Sequence, residues 1–270
     1  MGGDSFQMSR FFVKTIPADL QNGRIIITGE DVKHIAGVLR ARTGDPLVLC
    51  DAAGTDYDAV IEQISKENVI TRIIDRKENH TEPPVDITLF QGIPKADKMD
   101  LIIQKCVELG VNRFVPVTTA RSVVRFRDAR DAAVKAVRWG RIALEAAKQC
   151  GRGRIPVVEE PVGVDAALKL AHGYDLMLLP YEEETEGSLR SVLHSFGRSI
   201  AGNGAVGDNA AMRRIAIFIG PEGGFERTET EKAVRSGFRS VKLGPRILRT
   251  ETAGIAVSSI VMYELGDMGG

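Results

Sequence analysis

Two segments near the C-terminus, each with glycine and proline after an apolar run, constrain the fold most. In residues 215–227, IAIFIGPEGGFER, a β-branched run stops at Gly220-Pro221-Glu222-Gly223-Gly224. The run predicts a buried strand, and the residues after it predict a helix with Thr228 and Glu231 as a capping box. A strand, a glycine loop and a helix in succession are typical of ligand sites at the carboxyl ends of strands in α/β proteins.

The second segment, LGPRILRTETAG at 243–254, repeats this order. Residues 240–243 predict a short strand, Gly244-Pro245 breaks it, and 251–265 predict a helix. A tight turn without a ligand is the alternative for either loop alone. Two such strand ends close in sequence, the second with Arg246, Arg249 and Glu251, favour a binding site. Neither has P-loop spacing, so a ligand other than a nucleoside triphosphate is expected.

Five segments in order carry a resemblance to a known family. They are HIAGVLRAR (34–42), KADKMDLIIQKCVELG (95–110), AKQCGRGRIP (147–156), GPEGGF (220–225) and LGPRILRTETA (243–253). Together they resemble the bacterial 16S ribosomal RNA uridine-N3 methyltransferases, a branch of the knotted SPOUT-type methyltransferases. The resemblance spans nearly the whole chain, and five segments in one order are far more specific than any single one.

The pattern of elements predicts two domains. Residues 1–75 contain β-rich runs at 24–28, 46–51, 57–64 and 69–74 and a helix at 31–41, which suggests a small barrel. The polar stretch 76–84 predicts a linker. From 85 to 270 strands and helices alternate, as at 86–91, 97–109 and 113–117, which implies a parallel sheet covered by helices.

The resemblance adds detail to this α/β organisation. It implies an N-terminal PUA-like β-barrel that binds RNA, followed by a SPOUT-type α/β domain with a C-terminal trefoil knot. The knot rests on the resemblance alone, because knots are almost absent from proteins. Within the second domain, helix 128–150 is expected to use Trp139 for packing, and 197–213 is expected to be a flexible insertion. GNGAVG at 202–207 matches the G-x-G-x-x-G fingerprint of dinucleotide-binding sites. Because no convincing strand precedes it, a dinucleotide site is not expected there.

Composition indicates a globular protein with ample core, since 43% of residues are hydrophobic. The sequence shows neither the basic start and apolar run of a secretion signal nor an apolar stretch long enough for a membrane helix. A cytoplasmic location is therefore expected. Three cysteines, an odd number far apart, predict reduced thiols. Four scattered histidines and the lack of H-E-x-x-H or C-x-x-C make a metal site unexpected.

Charge is segregated along the chain although the net charge is zero. Residues 113–154 contain eleven Lys and Arg against three Asp and Glu, whereas residues 155–190 contain two basic and eight acidic residues. A basic face that contacts RNA phosphates is therefore compatible with the sequence, and a solvated helix surface is the alternative.

The resemblance implies methylation at N3 of a uracil with S-adenosylmethionine as donor and no metal. Arg249, fixed where a broken strand turns into a helix, is a candidate cation for the uracil anion. Its alternative is an ion pair with Glu251 or Glu222. Glu222 is a candidate proton acceptor or, alternatively, a cap of the next helix.

The resemblance places the donor among three loops, at 178–181, 220–224 and 243–248. Apolar side chains would flank the adenine and backbone groups would contact its edges and the ribose. The candidate donor-binding residues are Leu179, Pro180, Gly220, Pro221, Glu222, Gly223, Gly224, Leu243, Gly244, Ile247 and Leu248.

The expected partners are 16S ribosomal RNA in the assembled small subunit and a second copy of the chain. The dimer is implied by the resemblance, and helix 251–265 is apolar or small on several sides, although a buried monomer helix would look the same. Candidate phosphate contacts are Arg10, Arg40, Arg42, Arg121, Arg125, Arg152 and Arg154. Two alternatives stay open: an RNA-binding assembly factor without turnover, and a methyltransferase acting on another RNA or on a ribose 2′-OH.

Overall fold

The structure is a computed structural model that describes residues 9–14, 20–202 and 212–269. The chain divides into two compact units. Unit 1 consists of Met1–Glu82 and Ala147–Ile155, and unit 2 of Pro83–Ala146 and Pro156–Gly270. The segment Ala147–Ile155, which the sequence placed in the second domain, therefore belongs to the first unit.

Unit 1 is built on a five-stranded sheet in the order β1, β3, β4, β5, β2. Its strands are β1 (Arg10–Phe12), β2 (Arg24–Thr28), β3 (Pro46–Cys50), β4 (Thr55–Ile64) and β5 (Asn68–Glu78). The pair of β1 and β3 is parallel, and the other pairs are antiparallel. Alternation along β2 buries Ile25 and Ile27 against a core that includes Phe11 and Leu49.

Two predicted boundaries in unit 1 differ from the structure. The helix expected at 31–41 is shorter: α1 (Glu30–Lys33) continues only as a π-helical turn, His34–Val38. It ends before Arg40, whose φ of 52° is left-handed and cannot continue a helix. Strand β5 runs to Glu78, so the first residues of the expected linker are part of the sheet, paired with β4.

Two arginines of unit 1 lie inside it, and the prediction that they contact RNA is wrong. Arg152 is 3% exposed and forms a bidentate pair with Glu82, with Nη2 2.7 Å from Oε2. The Arg10 side chain is 9% exposed and bonds Asp56, with Nη2 2.6 Å from Oδ1. A buried guanidinium needs a charged partner, and each of these two arginines has a carboxylate of the same unit as its partner. Both ion pairs therefore stabilise unit 1 and leave neither side chain for RNA.

Unit 2 is an α/β unit around a parallel sheet in the order β12, β10, β11, β6, β7, β8, with β9 also paired to β7. Its strands are β6 (Val85–Gly92), β7 (Arg113–Thr118), β8 (Val157–Val158), β9 (Val162–Gly163), β10 (Leu176–Pro180), β11 (Arg213–Ile219) and β12 (Arg239–Val241). The helices are α2 (Lys98–Glu108), α3 (Ala129–Cys150, whose last turn belongs to unit 1), α4 (Val164–Leu170), α5 (Leu189–Gly202), α6 (Arg227–Arg235) and α7 (Thr250–Leu265).

The core of unit 2 lies around the central strands β6 and β11, whose residues are buried almost throughout. Phe90 and Phe218 meet edge-to-face, with ring centroids 6.1 Å apart. Helix α2 packs through Met99, Ile102 and Cys106, which recur at helical spacing and are all buried. Burial raises the pKa of the Cys106 thiol to about 12, so this free cysteine stays protonated.

Three further details concern the helices. The capping box of α6 is formed by Glu226 and Glu229, and the expectation of Thr228 and Glu231 is wrong, because the helix begins two residues earlier than that pair requires. Trp139 is 4% exposed, as expected of a packing residue. Of the predicted flexible insertion, 197–202 continue helix α5, and 203–211 lie outside the described residues. Among the described residues, no helix is long and apolar enough to cross a membrane.

Candidate active site

The carboxyl ends of β10 and β11 and the segment after β12 enclose two adjoining cavities. The larger, of about 320 Å³, is lined by Lys98, Pro180, Glu182, Ile219, Gly220, Pro221, Glu222, Gly224, Phe225, Ile247, Leu248, Arg249, Thr250 and Ala253. The smaller, of about 140 Å³, shares five of these residues and adds Tyr181, Glu184 and the segment 242–246. Because these strands are parallel, their carboxyl ends meet at one edge of the sheet, where ligands bind in such folds.

A buried hydrogen-bond chain fixes the floor of the larger cavity. The Thr250 hydroxyl, at the start of α7, donates to the Gly220 carbonyl oxygen at 2.6 Å. It accepts a bond from Gln91 Nε2 at 2.9 Å, and the same amide donates to the Gly92 carbonyl at 3.0 Å. Gln91 is fully buried at the end of β6. The ends of β6 and β11 and the start of α7 are thus tied together.

The glycine loop after β11 is held from two sides. Gly224 has a φ of 67°, and a Cβ there would lie 2.6 Å from Glu182 Oε1, so this position favours glycine. Gly223 is not among the residues that line the two cavities. Its carbonyl accepts a bond from Arg121 Nη1 at 3.0 Å, and a Cβ would lie 3.1 Å from the Arg121 Cβ.

One lysine organises the acidic groups of the site. Lys98 Nζ lies 3.0 Å from Glu222 Oε1 and 3.3 Å from Glu251 Oε2. Glu222 also accepts the backbone N–H of Lys95. Although burial raises the pKa of the Glu222 carboxyl, the bonds from Lys98 and backbone N–H groups outweigh it and hold the pKa below its ordinary value.

Both alternatives from the sequence for these side chains are wrong. Arg249 does not pair with Glu222 or Glu251, because Lys98 occupies both carboxylates. Within the described residues, the Arg249 side chain has no ion pair, and it lies exposed on the wall of the larger cavity. Glu222 does not cap α6, whose N-cap is Glu226.

Most of the predicted donor-binding residues lie on the cavity walls. These are Pro180, Gly220, Pro221, Glu222, Gly224, Leu243, Gly244, Ile247 and Leu248. Leu179 is instead fully buried in the core, and Gly223 contacts Arg121. Sequence reasoning missed Lys98 and Glu182, although Lys98 lies in the segment 95–110 that carries the resemblance and Glu182 directly follows the expected donor loop 178–181.

The remaining candidate RNA contacts lie at the surface. In unit 1, Arg40, Arg42 and Arg154 are exposed. In unit 2, Arg121 and Arg125 are exposed, but their guanidinium groups bond backbone carbonyls, Arg125 those of Thr119 and Ala120. The described part of the chain brings no three His, Cys, Asp or Glu side chains together as a metal site would.

Comparisons with known proteins agree with this architecture. The RNA methyltransferase domain family matches residues 81–262, and the RNA methyltransferase PUA domain family matches residues 27–74. The ribosomal RNA small subunit methyltransferase E of Bacillus subtilis (strain 168) is 32% identical over 258 residues, 95% of this chain and 97% of that protein. This chain belongs to the ribosomal RNA small subunit methyltransferase E family. The protein therefore joins a PUA-like domain to an RNA methyltransferase domain.

Two solved structures show the same family fold. The Neisseria gonorrhoeae ribosomal RNA small subunit methyltransferase E bound to S-adenosyl methionine superposes with a TM-score of 0.79 at 30% identity, covering 97% of this chain and 99% of that one. A Legionella pneumophila methyltransferase in complex with bound SAM gives a TM-score of 0.82 at 30% identity, covering 97% and 100%. Family membership makes the two cavities the candidate methyltransferase site of this chain.

Proposed function

We propose that the protein uses S-adenosylmethionine to methylate N3 of a specific uridine in 16S ribosomal RNA of the assembled small subunit. The observation that carries the proposal is the pair of cavities at the strand ends, formed by the loops that resemble the uridine-N3 methyltransferases. The name of the Bacillus subtilis relative supports a small-subunit substrate.

The residues of the cavities suit this donor. Ile247 is an apolar side chain left 87% exposed on the wall, and Leu248 lies beside it, a surface that the adenine ring would cover. Glu182 lines both cavities and provides a carboxylate of the sign that a cationic ligand requires. When bound, S-adenosylmethionine supplies an electrophilic methyl group on a positively charged sulfur.

Arg249 stabilises the charge that develops on the uracil ring. Its backbone is fixed as the N-cap residue of α7, while the residue is exposed and lines the larger cavity. A charged donor held ready for a developing oxyanion costs no reorganisation during the reaction. Glu222 holds the turn 95–98 through the Lys95 N–H and Lys98, and its lowered pKa makes it a weak base.

The RNA is held by arginines that the structure leaves at the surface. Arg40, Arg42 and Arg154 of the PUA-like unit and Arg121 and Arg125 of the methyltransferase unit are the proposed phosphate contacts. Arg10 and Arg152 have no part in this surface, since each is engaged with a carboxylate inside unit 1. Recognition of a folded ribosomal RNA by such spread contacts depends on its shape.

We also propose the trefoil knot for the C-terminal part of unit 2. The loop 181–188 contacts the chain leaving β12 at both of its ends, since Tyr181 N donates to Val241 O and Lys242 N to Gly187 O. The chain then passes from β12, at the sheet edge beside β10, to Thr250, which is bonded at the ends of β11 and β6. Passage through that loop accounts for these contacts.

A homodimer and a cytoplasmic location complete the proposal. The buried face of α7 includes Gly254, Val257 and Val261, and its outer face carries Ile260, 39% exposed, and Tyr263, 67% exposed. A second copy that covers this outer face would bury the apolar area. The cytoplasm is where a small-subunit RNA would be met.

Calorimetric titration with S-adenosylmethionine and S-adenosylhomocysteine tests the donor part of the proposal. Saturable binding of both at one site per chain is expected. No binding by folded protein, whether alone or with small subunits present, would contradict the proposal and favour an RNA-binding factor without turnover.

A further inference from the structure

Lys98 occupies a helix position at which the helix dipole disfavours a positive charge. It is the first residue of α2, directly after its N-cap Asp97. The positive end of the helix dipole lies there, so acidic side chains are stabilising and a cation is not. A residue that opposes local preference at a cavity wall indicates a role in the site.

Two carboxylates, one from a loop and one from a helix, hold this ammonium in place. Glu222 comes from the loop between β11 and α6, and Glu251 lies in the first turn of α7. Their side chains are 24% and 14% exposed, and that of Lys98 is 31% exposed. The hydrogen bond to Glu222 and the contact with Glu251 raise the pKa of Lys98, so it is charged at neutral pH.

The ammonium has a donor left for a ligand. Lys98 carries three N–H groups, and its ion pairs with Glu222 and Glu251 engage no more than two of them. Lys98 lines the larger cavity together with Arg249, whereas Glu251 is not part of the wall. At least one N–H is therefore available to a ligand in the cavity that Lys98 lines, and the two carboxylates hold the ammonium at this wall.

We propose that Lys98 is a second cation of the catalytic site and donates a hydrogen bond to a uracil carbonyl oxygen next to N3 while Arg249 serves the other. This role rests on the proposed function. N3 lies between two carbonyl groups, and loss of its proton spreads negative charge over both oxygens. Two preorganised donors on those oxygens favour the anion at neutral pH without a strong base.

The methyl transfer needs no base or oxidant beyond the residues already named. The N3 proton leaves to solvent water, and the N3 electron pair then attacks the methyl carbon. The carbon–sulfur bond breaks with its electron pair remaining on sulfur, which gives N3-methyluridine and S-adenosylhomocysteine. Lys98 and Arg249 stay protonated throughout, so neither residue is consumed.

The test compares K98Q with K98R and with K105Q as a matched control. Lys105 is on the same helix but forms a surface pair with Glu108, away from the cavities. Turnover of small subunits is measured at saturating donor from neutral to alkaline pH, together with donor affinity, thermal unfolding and the modified nucleoside. The charged groups that face Lys98 are Glu222 and Glu251, with Arg249 and Glu182 lining the same cavity, and all four are unchanged in these variants.

We expect K98Q to lose about a hundredfold in kcat at neutral pH, the usual effect of removing one oxyanion donor, with donor affinity changed less than about threefold. Its rate should recover as pH rises, because the anion then forms without help. K98R should keep most of the rate, and K105Q all of it.

Other outcomes overturn the role. Turnover of K98Q within about threefold of wild type, or an equal loss at every pH with a parallel loss of donor affinity, would show that Lys98 is structural. If either of these K98Q results is found while the wild-type protein still forms N3-methyluridine, only the role of Lys98 is refuted. A different wild-type product refutes the proposed function itself.

Discussion

The hydroxyl of Thr250 is predicted to hold the donor site together, and T250V removes it with little change in shape. Thr250 is 5% exposed, and its hydroxyl is bonded to the Gly220 carbonyl at 2.6 Å and to Gln91 Nε2 at 2.9 Å. Valine leaves the carbonyl without this donor, while the Gln91 amide keeps only its bond to Gly92. The loss of these two hydrogen bonds, which leaves buried polar groups without their partner, should lower the free energy of unfolding by about 2–4 kcal/mol.

The expected signal is a lower free energy of unfolding of unit 2. Its single tryptophan, Trp139, is buried and lies in that unit, so its fluorescence in urea reports the transition. The Tm should fall by about 2–4 °C for each kcal/mol lost. T250S is the matched control, because it keeps the hydroxyl and loses only a methyl group, which costs about 1 kcal/mol.

Donor affinity should fall together with stability in T250V, since Thr250 and Gly220 both line the larger cavity. The reasoning is refuted if T250V unfolds within about 0.5 kcal/mol of wild type, a change typical of unimportant surface positions. It is also refuted if T250S is as unstable as T250V, because the methyl group would then account for the loss.

Three further predictions concern single residues of the site. R249A should lower kcat about a hundredfold in the methylation assay while calorimetry finds donor affinity within about threefold; equal losses in both would reassign Arg249 to donor binding. G224A should weaken donor binding at least about tenfold by calorimetry with circular dichroism unchanged, because φ is 67° and a Cβ would lie 2.6 Å from Glu182 Oε1; unchanged affinity would contradict the close approach. N–H groups of Gly187 and Glu186 and the Ser240 hydroxyl lower the Glu184 pKa from 4.5 to about 2, so its contribution to stability is present above pH 4.5 and lost as pH falls through about 2. E184Q should therefore be less stable than wild type at pH 7 in urea, with a difference that vanishes toward pH 2, and a difference independent of pH would contradict this.

The sequence predicted much of the framework, because strong periodicity marks long elements. Strand β2 was expected at 24–28 and is found there, and α2 differs from its expected bounds by one residue at each end. Both have a continuous apolar pattern bounded by clear breakers. Short strands such as β8, with two residues, have no such pattern, since their pairing is set by the neighbouring strand β7.

The charged residues were harder to predict because sequence shows charge but not partner. Arg10 and Arg152 were expected at an RNA surface, yet carboxylates distant in sequence, Asp56 and Glu82, bind them inside unit 1. Lys98 escaped notice for the same reason, since Glu222 and Glu251 approach it only in the folded chain. The glycine loops were found early because glycine and proline limit the backbone locally.

The most direct test is to identify the nucleoside that the protein modifies. Small ribosomal subunits from cells that lack the activity are incubated with the protein and methyl-labelled S-adenosylmethionine, and the digested RNA is analysed by mass spectrometry. The account predicts one labelled product, N3-methyluridine in 16S RNA, and R249A should form it far more slowly. A ribose 2′-O-methyl product, or no transfer by protein that binds the donor, would contradict it.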